Sequence, residues 1–324
     1  MRRRLAARVG QSLIVVLIVT TISFFAIHLA PGDPFSYESS RITPAVREHW
    51  REQFGYNKPL TVQYGHYVAS IARGQFGYSM GLHEPVSEAL AQTVPRTLLL
   101  TGSALVLSFV IGIIIGVMQA TRYGRWFDKI SSFVLLLFYS LPDFWGALML
   151  LLLFAYWVPV LPAGNIVDPV MHDYMGTWAA TVDRLRHLVL PVASLTLLTM
   201  AGIARYQRAA LLEVLPADFI RTARAKGLSE RAVVWRHALR MASTPMVTLL
   251  GLMLPGLLGG ALFVEKVFGW PGMGLMAASA IGARDYDLVT ATVVVGSIMV
   301  VVGNLLADLL HMALDPRTRE QTTN

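Results

Sequence analysis

Six long stretches made almost entirely of apolar side chains constrain this chain more than any other feature. A stretch of about 20 such residues crosses the roughly 30 Å hydrocarbon core of a bilayer as a helix. One ionisable residue, Asp143, lies in the third stretch, and the second, fourth and fifth stretches contain none. The pattern predicts an all-α integral membrane protein with about six transmembrane helices. The predicted spans are Val9–Ala30, Thr97–Gln119, Ile130–Val158, Leu188–Ala204, Thr244–Val264 and Leu288–Met312.

The composition agrees with this class and narrows the chemistry. Charged residues make up 15% of the 324 residues, whereas soluble domains carry about 25%. The chain has no cysteine, which excludes a disulfide framework and a cysteine-ligated metal site. Because the histidines, aspartates and glutamates show no clustering with metal-ligand spacing, we expect no metal site.

Lysine and arginine are distributed unevenly between the segments that connect the predicted spans. Segments 1–8, 120–129, 205–243 and 313–324 together carry 17 of them, and the alternate segments 31–96, 158–187 and 265–287 carry 10. Basic residues concentrate on the cytoplasmic side of membrane proteins, and long loops count little toward this bias. The distribution predicts a multi-pass protein with both termini in the cytoplasm. It also accounts for most of the net charge of +7 without nucleic acid as a partner.

The extracytoplasmic segment 31–95 has the pattern of a folded helical subdomain. Thr43 can cap a helix that has Pro44 at its first position and ends at Gly55. A second helical pattern runs from Leu60 to Ile71, with aromatic residues that suit the headgroup layer of the membrane. Two interpretations remain open for this segment, an interfacial cap or a docking surface for an extracytoplasmic partner.

The cytoplasmic segment 205–243 is far longer than a minimal connection between two spans. Its alanine-, arginine- and lysine-rich part favours a helix. Gly227 is placed to take the left-handed position that ends this helix. Ser229 can then cap a second helix, with Glu230 near its positive end. We therefore expect a helix, a glycine turn and a helix, which together can act as a lever on two spans.

The same segment resembles the cytoplasmic EAA loop of ABC importer permeases. In that loop a Glu-Ala-Ala-like triplet is followed by a glycine, and here Arg221-Thr222-Ala223 stands in register with Gly227. The run from Arg221 to Arg231 resembles the B-type permease subunit of dipeptide, oligopeptide and nickel importers. Three further stretches are similar to that family, namely 28–34 (HLAPGDP), 268–274 (FGWPGMG) and 314–317 (LDPR).

The resemblance implies a division of labour between subunits in a bacterial cytoplasmic (inner) membrane. This chain would be a non-catalytic permease subunit in membrane lipid. Its partners would be a second homologous permease, two cytoplasmic ABC ATPase subunits and an extracytoplasmic solute-binding protein. Short peptides are the expected substrate, and nickel, glutathione or another small solute is the alternative. The sequence has no phosphate-binding G-x-x-x-x-G-K-[ST] loop, so we expect no cofactor on this chain and ATP with Mg²⁺ on the ATPase subunits.

The resemblance also assigns regions and a coupling loop. The expected regions are 1–30 (N-terminus and first span), 31–95 (extracytoplasmic subdomain), 96–312 (permease core) and 313–324 (cytoplasmic tail). The expected ATPase-coupling residues are Asp218, Phe219, Ile220, Arg221, Thr222, Ala223, Arg224, Ala225, Lys226, Gly227, Leu228, Ser229, Glu230 and Arg231.

Further candidate residues lie within the apolar stretches. A carboxylate inside a membrane is costly and usually faces a cavity or a partner, so Asp143 is a candidate for the transport pathway. The neighbouring Pro142 could instead break the helix and bring Asp143 to the outer interface. Gly112 with Gly116, and Gly256 with Gly260, form two G-x-x-x-G patterns that permit close helix packing, either within this chain or against a partner permease.

Two other classes of protein compete with the permease interpretation. A stand-alone secondary transporter typically has internal repeats and midplane ionisable residues, and the sequence shows neither clearly. Residues 217–241 superficially resemble a DNA-binding helix-turn-helix, but spans on both sides would hold them close to the bilayer. Both classes are therefore less favoured than a subunit of an importer.

Overall fold

The computed structural model describes residues 2–29, 43–53, 57–258 and 261–314. Within these residues almost all regular structure is helical, which confirms the predicted all-α class. The backbone separates into two compact units. Unit 1 consists of Met1–Arg96 with Gly272–Val302, and unit 2 consists of Thr97–Pro271 with Gly303–Asn324.

The α-helices vary widely in length, and several continue into short 3-10 or π-helical turns. The turns are His172–Tyr174 and Pro255–Leu258 (3-10) and Leu152–Trp157 and Val233–Ala238 (π). In chain order the α-helices are α1 (Arg2–Leu29), α2 (Pro44–Gln53), α3 (Leu60–Ala72), α4 (Val86–Thr121), α5 (Trp126–Tyr139), α6 (Asp143–Leu151), α7 (Thr177–Val214), α8 (Asp218–Ala225), α9 (Glu230–Ala232), α10 (Leu239–Ala242), α11 (Thr244–Met253), α12 (Leu262–Val267), α13 (Met273–Ala283) and α14 (Tyr286–Leu314).

Four of the predicted spans each correspond to one long helix, with Ala30 at the end of the first span lying outside the described residues. By length and composition, the helices able to cross a membrane are Gly10–Leu29, Val86–Thr121, Thr177–Val214 and Tyr286–Leu309. They correspond to the first, second, fourth and sixth apolar stretches. Each helix is apolar over enough residues to cross a bilayer. As a helix, each also satisfies its own backbone hydrogen bonds there.

The third predicted span is a bent pair of helices rather than one straight helix. Trp126–Tyr139 and Asp143–Trp157 meet at an angle of 105°. The break lies at Ser140–Pro142, where proline has no backbone N–H and disfavours helical geometry in the residue before it. Asp143 consequently lies in the first turn of α6. The break at Pro142 agrees with the alternative predicted from the sequence, and the position of Asp143 at the outer interface stays a prediction.

The fifth predicted span, Thr244–Val264, is not one regular helix. Helix α11 ends at Met253, a 3-10 turn covers Pro255–Leu258, and α12 begins only at Leu262. Pro255 explains the break, because its ring clashes with the carbonyl four residues earlier and it cannot donate the helical hydrogen bond. By length and composition, the described residues therefore contain four spanning helices, or five when the bent pair is counted as one.

Unit 1 contains a short β-ribbon that is tied to the start of α14. Strands β1 (Tyr78–Ser79) and β2 (Glu84–Pro85) pair antiparallel. The buried Ser79 hydroxyl donates a 2.6 Å hydrogen bond to Asp285, whose carboxylate also accepts from the Leu288 amide at 3.1 Å. Asp285 therefore joins the ribbon to the first turn of α14. The apolar core beside it is formed by Val86, Ala89, Leu90, Met273, Met276, Ala280, Leu288, Val289 and Ala291.

Unit 2 depends on the close approach of α4 and α7. A Cβ atom added to Gly112 would lie 2.9 Å from the Ile203 side chain, and one added to Gly116 would lie 2.7 Å from the carbonyl oxygen of Ala204. Real Cβ atoms do not approach other atoms this closely, so only glycine permits the observed backbone separation. This contact joins two helices of the same chain, which is the first of the two alternatives for this glycine pair.

Replacing Gly116 should destabilise unit 2 in a way that a nearby glycine does not. We expect Gly116→Ala to cost about 1–3 kcal/mol, because the colliding carbonyl belongs to the backbone and cannot rotate away. Gly102→Ala is the matched control, since Gly102 is in the same helix and has open space around an added Cβ. Thermal unfolding of the purified protein in detergent measures both. Equal melting temperatures for the two variants would contradict the proposed contact.

Candidate functional site

Helix α8 presents two different faces. Within residues 218–231, Ile220 and Ala223 are buried and the other residues are exposed. Phe219 is the large apolar exception on the outer face, with 43% of its surface exposed. Asp218 in the first turn and Arg224 in the last turn complement the helix dipole. One face of α8 is thus fixed to the protein, and the other offers an aromatic ring among charged groups.

The buried face of α8 is anchored to both long helices of unit 2. Ile220 has no exposed surface and belongs to an apolar cluster with Leu211 of α7 and Val117 of α4. The other buried members of this cluster are Ala120, Ala223, Val233, Val234, Ala238 and Ala242. Close-packed interiors transmit displacement because they have little free volume. A force on α8 would therefore reach α4 and α7 together.

Gly227 forms the turn between α8 and the next helix, as the sequence predicts. Its φ angle is +79°, in the left-handed region that other residues enter at a cost of roughly 1–2 kcal/mol. Ser229 then caps the following helix, with its hydroxyl accepting a 3.4 Å hydrogen bond from the Ala232 amide. The helix, glycine turn and helix expected from the sequence are all present.

An ion pair closes this turn on its exposed side. Arg224 Nε donates a 2.6 Å hydrogen bond to Glu230, and a second bond from the same guanidinium measures 3.3 Å. The Glu230 carboxylate raises the pKa of Arg224. Exposed pairs of this kind contribute little to stability, so we assign the geometry of the turn chiefly to Gly227.

Asp143 lines a cavity within unit 2. The cavity has a volume of about 490 Å³, within the range of small-molecule sites. Asp143 is exposed at the start of α6, and the hydroxyls of Thr101 and Thr199 are the other polar side chains on the wall. The apolar wall is formed by Ala104, Leu105, Leu195, Met253, Ala261, Leu262, Phe263 and Val264. The cavity thus combines one negative charge with a largely apolar surface.

The second glycine pair differs from the first. Gly256 lies on the wall of the same cavity, and a Cβ added to it would meet no described atom within 4 Å. Its role in close helix packing therefore stays a prediction. Gly260 lies outside the described residues.

Sequence reasoning missed a buried ion pair that joins two helices of unit 2. Arg208 of α7 donates two hydrogen bonds, of 2.7 and 2.9 Å, to the buried carboxylate of Asp128 in α5. The Gly124 amide donates a third, of 3.0 Å, to the same carboxylate. The two residues lie 80 positions apart. The only signal in the sequence was that two residues of opposite charge, Asp128 and Arg208, lie near the ends of two neighbouring predicted spans.

A second missed group joins the 158–176 connection to α7. His172 Nδ1 lies 2.7 Å from Asp183 Oδ2, and the Asp168 amide donates a 3.0 Å hydrogen bond to the same carboxylate. His187, one turn further along α7, lies 3.1 Å from Asp183. This carboxylate fixes the connection against the helix. A sequence signal existed in the spacing of Asp183 and His187, which places them on one helix face.

The described residues combine several helices long and apolar enough to cross a membrane, a surface helix with one buried face, and a cavity lined by Asp143. Comparison with known proteins identifies the family. Residues 109–320 match the family described as "Binding-protein-dependent transport system inner membrane component". Residues 1–101 match its N-terminal counterpart, described as "Binding-prot-dependent transport system membrane comp, N-term". The chain belongs to this family of ABC importer permeases, which excludes the secondary-transporter and DNA-binding alternatives.

Individual relatives match over nearly the whole chain. The "Oligopeptide transport system permease protein AppB" of Bacillus subtilis is 37% identical over 312 residues, which cover 96% of this chain and 97% of the relative. The "Dipeptide transport system permease protein DppB" of Alkalihalophilus pseudofirmus is 36% identical, over 95% of this chain and 96% of the relative. The protein of that name from Escherichia coli K12 is 34% identical, over 97% and 98%.

Replacing Gly227 should uncouple the surface helix without preventing membrane insertion. Gly227→Val places a β-branched residue at φ +79°, and the strain of roughly 1–2 kcal/mol shifts a two-state equilibrium about 5- to 30-fold. That cost is small beside the burial of several membrane helices. We expect normal membrane abundance, weakened association with the ATPase subunits, and joint loss of uptake and substrate-stimulated ATP hydrolysis in the reconstituted complex.

Gly74→Val is the matched control for backbone strain. Gly74 has φ +73° and, like Gly227, open space around an added Cβ, but it follows α3. This variant should retain uptake and ATPase association. If Gly227→Val also transports at the wild-type rate with normal abundance, the segment is only a linker and the lever interpretation is wrong.

Proposed function

We propose that this chain forms one half of the translocation path for short peptides in an ABC importer, driven by ATP that separate subunits hydrolyse. The observation that carries the proposal is the anchoring of α8, whose Ile220 belongs to one buried apolar cluster with residues of α4 and α7 while Phe219 stays exposed. The relatives are named as oligopeptide and dipeptide permeases, which favours peptides as the substrate.

The proposed complex contains several other chains. Membership in a binding-protein-dependent family implies a solute-binding protein and ABC partners. We propose a composition of one second homologous permease, two ATPase subunits and one extracytoplasmic solute-binding protein. The sequence of this chain has no phosphate-binding loop, so ATP and Mg²⁺ would bind to the ATPase subunits. The exposed residues of 218–231 would meet those subunits.

The proposed orientation places both termini and segment 205–243 in the cytoplasm of a bacterium. The 17-to-10 distribution of basic residues supports it. The same orientation puts residues 31–95 outside, where a solute-binding protein delivers its ligand. It also puts α8 on the side where ATP is available.

We propose that the cavity beside Asp143 belongs to the translocation path. Its wall combines residues of α4, α6, α7 and the broken region from α11 to α12. Closure of the ATPase subunits would push α8, and the apolar cluster around Ile220 would pass this displacement to α4 and α7. The cavity would then open alternately to the two sides. Asp143 would interact with a positively charged group of the passing substrate.

Uptake by the reconstituted importer tests this function. With the solute-binding protein and labelled dialanine on one side and ATP on the other, the wild-type complex should accumulate dialanine. We expect Asp143→Asn to reduce the rate about tenfold, since a hydrogen bond to a charged group contributes about 1.5–3 kcal/mol. Asp173→Asn is the control, because Asp173 is exposed and does not line this cavity.

Two results would contradict separate parts of the proposal. ATP-dependent accumulation of another solute, without accumulation of any peptide, would exclude peptides as the substrate. Equal dialanine uptake by the wild type and Asp143→Asn would place Asp143 outside the path and leave the permease function intact.

A further inference from the structure

Unit 1 has a second cavity, separate from the one that contains Asp143. Its volume is about 470 Å³, which is again suitable for a small molecule. Unlike the cavity of unit 2, its wall carries several polar and charged side chains. These are His28, Lys58, Gln63, His66, Tyr67, Ser70, Gln75, Tyr286, Asp287 and Thr290.

Asp287 supplies the negative charge of this cavity. Among the described residues, the Tyr78 amide donates a 3.3 Å hydrogen bond to its carboxylate. Gly77 permits this approach, because a Cβ atom there would collide with the carboxylate. The nearby Asp285 differs, since it accepts hydrogen bonds from Ser79, Gly81 and Leu288. Asp287 therefore retains acceptor capacity that the described residues do not use.

Aromatic rings surround the same cavity. The Phe24 ring centroid lies 3.9 Å from that of His28 and 5.2 Å from that of Tyr67, and His28 lies 5.4 Å from Tyr286. All four rings line the cavity. A carboxylate beside aromatic faces is a combination that attracts ammonium groups through charge and cation–π interactions.

The Tyr67 hydroxyl is a second polar group on the wall that lacks a full set of hydrogen-bond partners among the described residues. In the part of the chain that the structure describes, its hydroxyl is buried and makes no hydrogen bond of normal geometry. Burial raises the pKa of Tyr67 to about 12, and the neighbouring Thr290 hydroxyl offsets this only partly. Buried polar groups in native proteins are normally paired. The wall thus has unused hydrogen-bonding capacity on two side chains.

Lys58 places a positive charge on the same wall. A ligand with an ammonium group at one end and a carboxylate at the other would therefore meet an opposite charge for each. We propose that this cavity binds a short zwitterionic peptide, with its ammonium group at Asp287 and its carboxylate toward Lys58. The proposal rests on the proposed peptide import, and it gives unit 1 a substrate site distinct from the cavity of unit 2.

The test is peptide binding to the assembled importer without its solute-binding protein, in nanodiscs of phosphatidylglycerol, which has no ammonium group. Titration of dialanine by saturation-transfer NMR gives the dissociation constant. Asp287→Asn keeps an acceptor for the Tyr78 amide but loses the charge. We therefore expect the dissociation constant of dialanine to rise about tenfold or more. Glu88→Gln is the control, because Glu88 is an exposed carboxylate of unit 1 that does not line the cavity. This variant should bind dialanine with the wild-type affinity.

Two modified peptides locate each end of the ligand. N-acetyl-dialanine has no ammonium group, so it should bind the wild type about tenfold more weakly and lose nothing further on Asp287→Asn, because the two changes remove the same interaction. Dialanine amide has no carboxylate, and its affinity should not respond to Lys58→Gln. If the Asp287→Asn complex fails to assemble, the affinities of the wild type for dialanine and the two modified peptides still test the proposal.

The alternatives give different results. Full uptake of dialanine with equal binding by the wild type and Asp287→Asn would overturn this site and leave peptide import intact. Absence of both uptake and binding would refute peptide import itself. Phosphatidylethanolamine also carries an ammonium group. Asp287-dependent binding of that lipid, without dialanine binding, would overturn the peptide as occupant.

Discussion

The close approach of α4 and α7 at Gly112 and Gly116 is the contact on which the permease core depends. Without side chains at these positions, the α4 backbone approaches Ile203 and Ala204 more closely than any other residue would allow. In a bilayer, where lipid tails are as apolar as the helices, such packing is a main source of helix association. The apolar cluster that contains Ile220 begins at Val117, the next residue of α4. The apolar cluster that holds the surface helix α8 thus lies next to the close contact between the two long helices.

Two prolines shape the cavity of this core. Pro142 precedes the first turn of α6, and Pro255 ends the regular helix that begins at Thr244. A Cβ added to Gly303 of α14 would lie 3.0 Å from Pro255, so the broken segment is itself closely packed. Backbone that is not helical is tolerated at membrane depth where protein or a cavity covers it. The breaks therefore place Asp143 and the ends of α11 and α12 around one space.

The sequence predicts local features of this fold much better than distant contacts. Apolar length alone locates the four long helices, and Gly227 with Ser229 predicts the turn after α8, because each feature depends on neighbouring residues. Hydropathy alone does not reveal the break in the fifth stretch, because Pro255 interrupts the helix among apolar neighbours. The bond between Tyr78 and Asp287 joins residues 209 positions apart. No local pattern indicates which of the two carboxylates, Asp285 or Asp287, accepts more hydrogen bonds from the β-ribbon.

Cross-linking from α8 tests most directly the claim that separate ATPase subunits drive this helix. Because the chain has no cysteine, Phe219→Cys carries a single site for a short photoactivated cross-linker on the exposed face of α8. We expect cross-links to an ATPase subunit, with a yield that differs between the nucleotide-free and ATP-bound complexes, and none from Glu48→Cys, which the proposed orientation places on the extracytoplasmic side. ATPase cross-links from position 48, or none from position 219 in an active complex, would contradict the account.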